Sequence, residues 1–194
     1  MQTTNIEVSV LNYVQLAMRT NSTVVGTHPV HPDIIHSALG MADEILELQE
    51  AISKRDTPNI GEEIGDLCWF YALAGNDLAE SNYLFFKPEE IRVDKTNPEL
   101  GLGMAINTYV SHVKKAYAYG KSYQADARLK HLWMIWACLT EVAKKYNFTI
   151  EDIMQTNIEK LRIRFPDKFT TDAADSRNLD AERALLESAV ISVQ

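Results

Sequence analysis

The sequence predicts an all-α fold: a helical bundle of antiparallel hairpins with an extra helix at the C-terminal end. Apolar residues recur at intervals of three or four along most of the 194 residues, which is the period of an amphipathic helix. Only 8 glycines and 6 prolines are present, too few for a sandwich or barrel built on many tight turns. We therefore expect one domain over residues 1–170 and a C-terminal helix or tail over residues 171–194.

The first half of the chain predicts three helices. The first carries an apolar stripe with helical spacing, formed by Val8, Leu11, Val14 and Met18. The second covers about residues 33–53, and the third, with Asn59 as its expected N-cap, extends to about residue 79. The turn between them is short, so we expect these two helices to pack antiparallel. The third helix is apolar on most sides between residues 67 and 73. This predicts a central position and, because one hairpin cannot cover it, an oligomer.

The second half predicts three longer helices and a final polar one. Asn97 followed by Pro98 is a typical helix start. The helix that begins there forms a second hairpin with a helix over about residues 123–146. Thr149 is the expected cap of the next helix, and an Ala-rich helix over about residues 171–188 follows it.

A short tetrapeptide suggests a degenerate internal duplication. Leu-Gly-Met-Ala occurs at residues 39–42 and again at residues 102–105, and an aromatic-rich apolar run follows each at a similar distance. Two stacked helical hairpins related by pseudo-symmetry would explain this pattern. Chance similarity between two amphipathic hairpins is the alternative.

The charge balance narrows the classes of partner. Nineteen Lys and Arg face 27 Asp and Glu, which gives a net charge of −8 and a pI near 5.1. An acidic chain is not expected to bind nucleic acid polymers, which require a basic face.

No apolar run is long enough to span a membrane. Cys68 and Cys138 lie in apolar surroundings and are expected to be buried thiols, which favours a cytoplasmic protein.

Two pairs of acidic residues carry the expected chemistry. Glu44 and Glu47 are three residues apart on the second predicted helix, and Glu63 and Asp66 are three apart on the third. This spacing places both members of a pair on one helix face. The two pairs are expected to face each other as a nest of four carboxylates with no Arg or Lys beside them. Because such repulsion is costly, the nest predicts a divalent cation, and ligands that are all oxygen favour Mg²⁺ or Mn²⁺ over Zn²⁺.

A solvated helix face is the alternative for Glu44 and Glu47 taken alone. The second pair argues against it, because that pair stands directly before a strongly apolar run. Gly61 and Gly65 are interleaved with this pair, and we expect them to leave room for a ligand to approach the backbone. A redox di-iron bundle is disfavoured because it uses Glu-x-x-His, a motif that the sequence does not contain.

Three segments resemble one family. GMADEILELQEAI (residues 40–52) and NIGEEIGDLCWFYALA (residues 59–74) are similar to the ExxE…ExxD signature of the MazG-like all-α nucleotide pyrophosphohydrolases. NIEKLRIRFPDKF (residues 157–169) is similar to the closing N-x-x-K-L-x-x-R-[FY]-P pattern of that family. The intervening hairpin resembles the longer, phage-like or dUTPase-like members, whose second hairpin partly duplicates the first. Here the second hairpin lacks the acids, so we expect one metal site per chain.

The resemblance implies hydrolysis of a nucleoside triphosphate to the monophosphate and pyrophosphate, by a homodimer or higher homo-oligomer. Carried over by position, it implies that the metal ligands are Glu44, Glu47, Glu63 and Asp66. It also implies triphosphate contacts by Asn157, Lys160 and Arg164. Either Glu47 or Glu63 is expected to take the proton from the attacking water. For Lys160 and Arg164, a favourable cation near a helix C-terminus is the alternative.

Three further residues are candidates for substrate contacts. His36 lies two turns before Glu44 on the same helix face and is expected to line a base or sugar pocket. Phe70 lies one turn after Asp66 and is expected to stack on a base. Lys115, on the second hairpin, is a candidate phosphate contact. A core or surface histidine, a core aromatic and a solvated basic face are the respective alternatives.

The leading hypothesis is a Mg²⁺-dependent nucleoside triphosphate pyrophosphohydrolase that controls the level of particular nucleotides. A nucleotide-binding sensor or sponge without turnover and an inert helical interaction protein are the competing hypotheses. The presence of all four acids favours catalysis. The preferred base is left open by the sequence, among dUTP, dCTP, dGTP and an alarmone such as ppGpp.

Overall fold

The computed structural model describes residues 8–21, 30–78, 84–85 and 90–193. Within these ranges the chain is all-α, as predicted, and forms eight helices. In chain order they are α1 (Val10–Met18), α2 (Pro32–Lys54), α3 (Thr57–Gly75), α4 (Pro98–Tyr119), α5 (Ala125–Lys145), α6 (Ile150–Arg164), α7 (Thr171–Asp175) and α8 (Leu179–Val193). Residues 1–7, 22–29, 79–83, 86–89 and 194 lie outside the described residues.

The antiparallel hairpin of α2 and α3 is confirmed, but α3 begins earlier than predicted. Arg55 ends α2 in the left-handed conformation, with φ of 57°, and Asp56 follows as the N-cap of α3. The Asp56 carboxylate accepts a hydrogen bond from the backbone N–H of Asn59, which places Asn59 inside the first turn and corrects the prediction that it is the cap. Asp caps as well as Asn does, and Pro58 suits a first turn because its φ is already helical.

The central position predicted for α3 is confirmed, and it removes one argument for an oligomer. Five helices of the same chain pack on α3: α1, α2, α5, α6 and α8. Residues on several sides of α3 are buried as a result, including Leu67, Trp69, Tyr71 and Leu73. The sequence-based argument that α3 requires a second copy to cover it is therefore wrong.

The second predicted hairpin is also present, formed by α4 and α5 and packed on α2 and α3. Asn97 caps α4, with Pro98 in the first turn, as predicted. The repeated tetrapeptide, however, does not occupy equivalent environments. Leu39 is 65% exposed where Leu102 is fully buried, and Met41 is fully buried where Met104 is 64% exposed. The two copies present opposite faces to the core, so the repeat does not support an internal duplication.

The C-terminal region packs on the same bundle as two helices rather than the single predicted one. Thr149 caps α6 by accepting a hydrogen bond from the N–H of Asp152, as predicted. The break between α7 and α8 falls at Asn178, whose side-chain oxygen accepts from the N–H of Ala181 and so begins a new helix. Helix α8 contacts α3 and α6 and buries Leu186.

The burial of both cysteines is confirmed: Cys68 lies in α3 and Cys138 in α5, each in the core. Among the described helices, none is both long enough and apolar enough to cross a membrane.

Candidate metal centre and substrate cleft

Three of the four predicted metal ligands converge where α2 packs on α3. Glu44 comes from α2, and Glu63 and Asp66 come from adjacent turns of α3. One carboxylate oxygen of each residue lies within 4.8 Å of the corresponding atoms of the other two. The two-residue connection between the helices fixes this register. We call these three residues the carboxylate cluster.

Burial and mutual repulsion perturb the protonation of the carboxylate cluster. Burial raises the pKa of Glu44, and the negative charge of Asp66 and a hydrogen bond with Glu63 raise it further. The pKa of Glu63 is also raised, by its burial first and then by the charge of Asp66. The shared hydrogen bond requires a proton between Glu44 and Glu63. Protons therefore reduce the negative charge of the cluster at neutral pH, and a divalent cation would replace them.

Lys160 neutralises the third carboxylate of the cluster. Its side chain is 1% exposed, and its Nζ donates to the two oxygens of Asp66 at 2.7 and 2.6 Å and to Glu62 at 3.1 Å. Burial lowers the pKa of Lys160, but the charges of Asp66 and Glu62 more than offset that effect, so the pKa is raised. The expectation of four carboxylates with no cation beside them is therefore wrong: sequence distance hides the lysine, which arrives from α6.

Asn157 holds Asp66 from a second direction. Its Nδ2 donates to Asp66 at 2.8 Å, and its Oδ1 accepts a hydrogen bond from the hydroxyl of Tyr13, also at 2.8 Å. Asn157 and Tyr13 are both buried, so the orientation of the amide is fixed by partners on both sides. The amide nitrogen of Asn157 is therefore directed at Asp66.

Gly61 and Gly65 of α3 make room for protein rather than for a ligand. A Cβ at Gly65 would lie 3.1 Å from the Cβ of Asn157, and a Cβ at Gly61 would lie 3.1 Å from the ring of Phe148. The expectation that these glycines open the backbone to a ligand is therefore wrong. Their function is close packing, and Gly65 in particular lets α6 bring Asn157 against α3.

A cleft of about 270 Å³ opens beside the carboxylate cluster. Glu44, Asp66 and Arg164 are the charged residues of its lining. The remaining walls are mainly apolar and aromatic, contributed by Thr20, His36, Trp69, Phe70, Leu161, Phe165, Phe169 and Ala174. A ligand that fits this cleft has an anionic end, which would meet the metal and the guanidinium, and an apolar or aromatic body.

The predicted substrate residues His36 and Phe70 both line this cleft. His36 packs edge-on against Trp69 and Phe70, with ring centroids 5.8 and 5.5 Å away. Burial lowers the pKa of His36, which favours the neutral imidazole. Phe70 lies over Gly40, where a Cβ would come within 2.1 Å of the phenyl ring. Trp69 is fixed by hydrogen bonds from its Nε1 to the backbone oxygen of Ala17 and the hydroxyl of Thr20, each 3.0 Å long.

The remaining predicted site residues, Arg164, Glu47 and Lys115, differ in how they relate to the carboxylate cluster and the cleft. Arg164 lines the cleft and is hydrogen-bonded to Glu182 of α8. Glu47 is exposed and lies outside the carboxylate cluster, but within electrostatic reach of it. Burial raises the pKa of Glu47, and the charges of Asp43 and Asp66 raise it further. Lys115 is exposed on α4 and does not line the cleft, so the structure does not bring it to the other predicted residues.

Several residues of this region were missed by the sequence analysis. Glu62 had a usable signal, because it lies four residues before Asp66 on α3 and so shares its face. Phe165 and Phe169 lie within the quoted C-terminal motif. No sequence pattern identifies Tyr13 or Glu182, because only the packing of α1 and α8 brings them close to Asn157 and Arg164.

No family model matches the chain, and no curated protein or solved structure matches it. The likeness to MazG-like pyrophosphohydrolases therefore rests on the three motifs described above.

Proposed function

We propose that the protein is a Mg²⁺-dependent nucleoside triphosphate pyrophosphohydrolase, which converts a nucleoside or deoxynucleoside triphosphate and water to the monophosphate and pyrophosphate. The observation that carries the proposal is that two members of the carboxylate cluster, Glu44 and Asp66, line a cleft that also has aromatic lining residues. The motif resemblance points to the same reaction.

Glu44, Glu63 and Asp66 would hold the metal. They fit a hard divalent cation because their donor atoms are all oxygen, lie within 4.8 Å of one another, and repel one another when ionised. When bound, Mg²⁺ (or Mn²⁺) supplies charge neutralisation at the phosphates and a lower pKa for a coordinated water. Asn157 would orient Asp66 through its amide, which is a positioning role rather than the direct triphosphate contact that the resemblance implies.

Lys160 and Arg164 are the proposed phosphate contacts. Arg164 already faces the cleft, and its guanidinium matches the geometry of phosphate oxygens. The ammonium group of Lys160 is held by Asp66, a proposed metal ligand. Lys160 would turn from Asp66 towards the developing charge on pyrophosphate and stabilise it.

The aromatic wall is proposed to bind the base. Phe70 offers a ring face or edge, and His36, kept neutral by burial, offers a ring nitrogen that can donate or accept a hydrogen bond. Trp69 supports both rings and is fixed by its own hydrogen bonds.

Glu47 is the proposed proton acceptor. The oxygens of Glu63 are committed to the carboxylate cluster, whereas Glu47 is exposed at its edge and has a raised pKa, which makes it a better base than an ordinary carboxylate. Water would lose its proton to Glu47 and attack the α-phosphorus. The bond from that phosphorus to the bridging oxygen would break, and pyrophosphate would leave with the electron pair.

One assay tests the reaction. The wild-type chain is incubated with a panel of ribo- and deoxyribonucleoside triphosphates and ppGpp, with Mg²⁺ and with EDTA, and pyrophosphate is detected as phosphate after added pyrophosphatase. Asp66→Asn is the inactive control. We expect Mg²⁺-dependent release from at least one triphosphate. If none is hydrolysed, the enzymatic proposal is wrong. A thermal shift with nucleotide would then favour the sensor or sponge.

A homodimer or higher oligomer remains part of the proposal on the strength of the resemblance, and a cytoplasmic location on the strength of the two buried cysteines. Sedimentation equilibrium at micromolar concentration tests the oligomeric state, and a 21.9 kDa species would contradict it.

A further inference from the structure

Two arginines from different segments meet at one buried carboxylate beside the cleft. Glu182, in the first turn of α8, is 2% exposed. It accepts hydrogen bonds from Arg164 at the end of α6, through Nε at 3.1 Å and a terminal nitrogen at 2.6 Å. It also accepts one at 2.6 Å from Arg177, which lies between α7 and α8. We call Arg164 and Arg177 the arginine pair. Both are held by the carboxylate of Glu182.

This group carries one positive charge in excess. Burial alone would raise the pKa of Glu182, but the hydrogen bonds and charges of Arg164 and Arg177 lower it to about 2. The carboxylate is therefore ionised at neutral pH and balances only one of the two guanidinium groups. Three arginine N–H groups are used by Glu182, out of five on each side chain, so both guanidiniums retain donors for a second acceptor.

The excess charge lies close to the proposed metal centre. Arg164 lines the same cleft as Glu44 and Asp66. Arg177 has a side chain that is 40% exposed and is within electrostatic reach of Glu62 and Asp66. An anion held in the cleft beside Glu44 and Asp66 would therefore meet the guanidinium of Arg164. Arg177 is not among the residues that line the cleft, but it shares the Glu182 carboxylate with Arg164 and so lies next to it.

We propose that Arg164 and Arg177, positioned by Glu182, bind the terminal phosphates of the substrate and the pyrophosphate that leaves. The anion's identity rests on the proposed function. Under this proposal the C-terminal segment, which the sequence analysis treated as a tail, completes the site: Arg177 is a further binding residue and Glu182 is a positioning residue.

Pyrophosphate binding to the full-length chain tests the proposal without requiring turnover. Calorimetric titration with inorganic pyrophosphate at fixed Mg²⁺ is compared for wild type, Arg177→Gln, Arg177→Lys and Arg183→Gln. Arg183 is the matched control, because it lies on α8, is 43% exposed, and pairs with Asp56 and Glu187 away from the cleft. We expect Arg177→Gln to weaken pyrophosphate affinity about tenfold, Arg177→Lys to recover part of the loss, and Arg183→Gln to match wild type.

Glu182→Gln tests the positioning role. The neutral amide oxygen can no longer hold two guanidinium groups as an ionised carboxylate does, so we expect weaker pyrophosphate binding with unchanged affinity for Mg²⁺ alone. An equal loss of both affinities would indicate general collapse of the cleft and would overturn the positioning role. Equal pyrophosphate affinities for Arg177→Gln, Arg183→Gln and wild type would reduce Arg177 to an anchor of α8 and overturn the proposal.

The two proposals fail in different ways. If wild type binds pyrophosphate through Arg177 but hydrolyses no triphosphate, the arginine site is supported and the proposed reaction is wrong. If wild type hydrolyses a triphosphate and Arg177→Gln leaves both pyrophosphate affinity and kcat/KM unchanged, the reaction is supported and the arginine site is wrong.

Discussion

The ammonium group of Lys160 lies 2.7 and 2.6 Å from the two oxygens of Asp66 in a region where the lysine is 1% exposed. Asp66 also belongs to the carboxylate cluster. Its side chain therefore both holds α6 against α3, through Lys160, and contributes to the proposed metal centre. The fold and the chemistry of the site are therefore coupled through this ion pair.

Removing the lysine should destabilise the metal-free protein. Lys160→Met leaves Asp66 and Glu62 without their buried cation, and the loss of one partner of a buried pair costs about 3–5 kcal/mol. Lys144→Met removes an exposed lysine that pairs with Glu141, which keeps Lys95 3.9 Å away, and should cost about 0–1 kcal/mol. Urea unfolding in EDTA gives both free energies. Similar values for the two variants would show that the buried pair contributes little.

The same substitution should tighten Mg²⁺ binding. Lys160 competes with a metal for both oxygens of Asp66, so Lys160→Met should raise the affinity of the nucleotide-free protein for Mg²⁺. It should also lower kcat/KM by a factor of about 10–100, through lost stabilisation of the leaving pyrophosphate. Calorimetric titration with Mg²⁺ measures the first effect. Weaker Mg²⁺ binding in the variant would mean that the lysine supports the metal site rather than competing with it.

Substitutions of Glu63 and Glu47 should distinguish metal binding from proton transfer. Glu63→Gln removes a member of the carboxylate cluster and should abolish both the Mg²⁺-induced thermal shift and turnover. Glu47→Gln changes an exposed residue outside the cluster. It should keep most of the Mg²⁺ affinity and lower kcat about 10²–10⁴-fold, the usual contribution of a general base. If Glu47→Gln loses Mg²⁺ binding as completely as Glu63→Gln, Glu47 is a metal ligand, as the motif resemblance implies.

Glu44 and Glu63 should lower the stability of the metal-free protein as the pH rises above 4.5. The pKa values of Glu44 and Glu63 are raised above their ordinary 4.5, so the folded state holds more protons than the unfolded state between that pH and the folded pKa values. The free energy of unfolding then falls with increasing pH across this interval. Mg²⁺ should displace the protons, so its affinity should increase with pH.

Glu63→Gln isolates this effect, because other groups also titrate. The difference in unfolding free energy between wild type and Glu63→Gln, measured in EDTA from pH 5 to pH 8, should shift steadily in favour of the variant. Titration of Mg²⁺ in buffers of different ionisation enthalpy should detect proton release. A pH-independent difference and no released proton would contradict the shared proton at Glu44 and Glu63.

The close approach of α6 to α3 should depend on Gly65. In Gly65→Ala the new Cβ would lie 3.1 Å from the Cβ of Asn157, so α6 has to shift, and we expect a loss of about 1–3 kcal/mol despite the better helix propensity of alanine. The shift should also loosen the hydrogen bond between Asn157 and Asp66 and lower kcat. Gly101→Ala is the matched control, because its nearest neighbour would be the Sγ of Cys138 at an ordinary 3.5 Å. It should be neutral or up to about 1 kcal/mol more stable. Thermal unfolding compares the pair, and equal stability would contradict the packing role of Gly65.

Local signals in the sequence predict most of the helices and the three residues of the carboxylate cluster. Asn97 and Thr149 cap helices as predicted, because a cap depends on atoms only two or three residues away. Glu63 and Asp66 share a face for the same local reason, and the short connection at Arg55 and Asp56 forces Glu44 towards them.

The balance of charge in that site depends on how the helices pack. Lys160 neutralises Asp66, and Glu182 brings Arg164 and Arg177 together, although these partners are distant in sequence. Gly65 admits Asn157, a neighbour that helical periodicity cannot identify. Local spacing fixes which side chains share a helix face, because backbone geometry is regular. Which faces meet depends on the packing of all the helices at once, and charge compensation in a buried site follows from that packing.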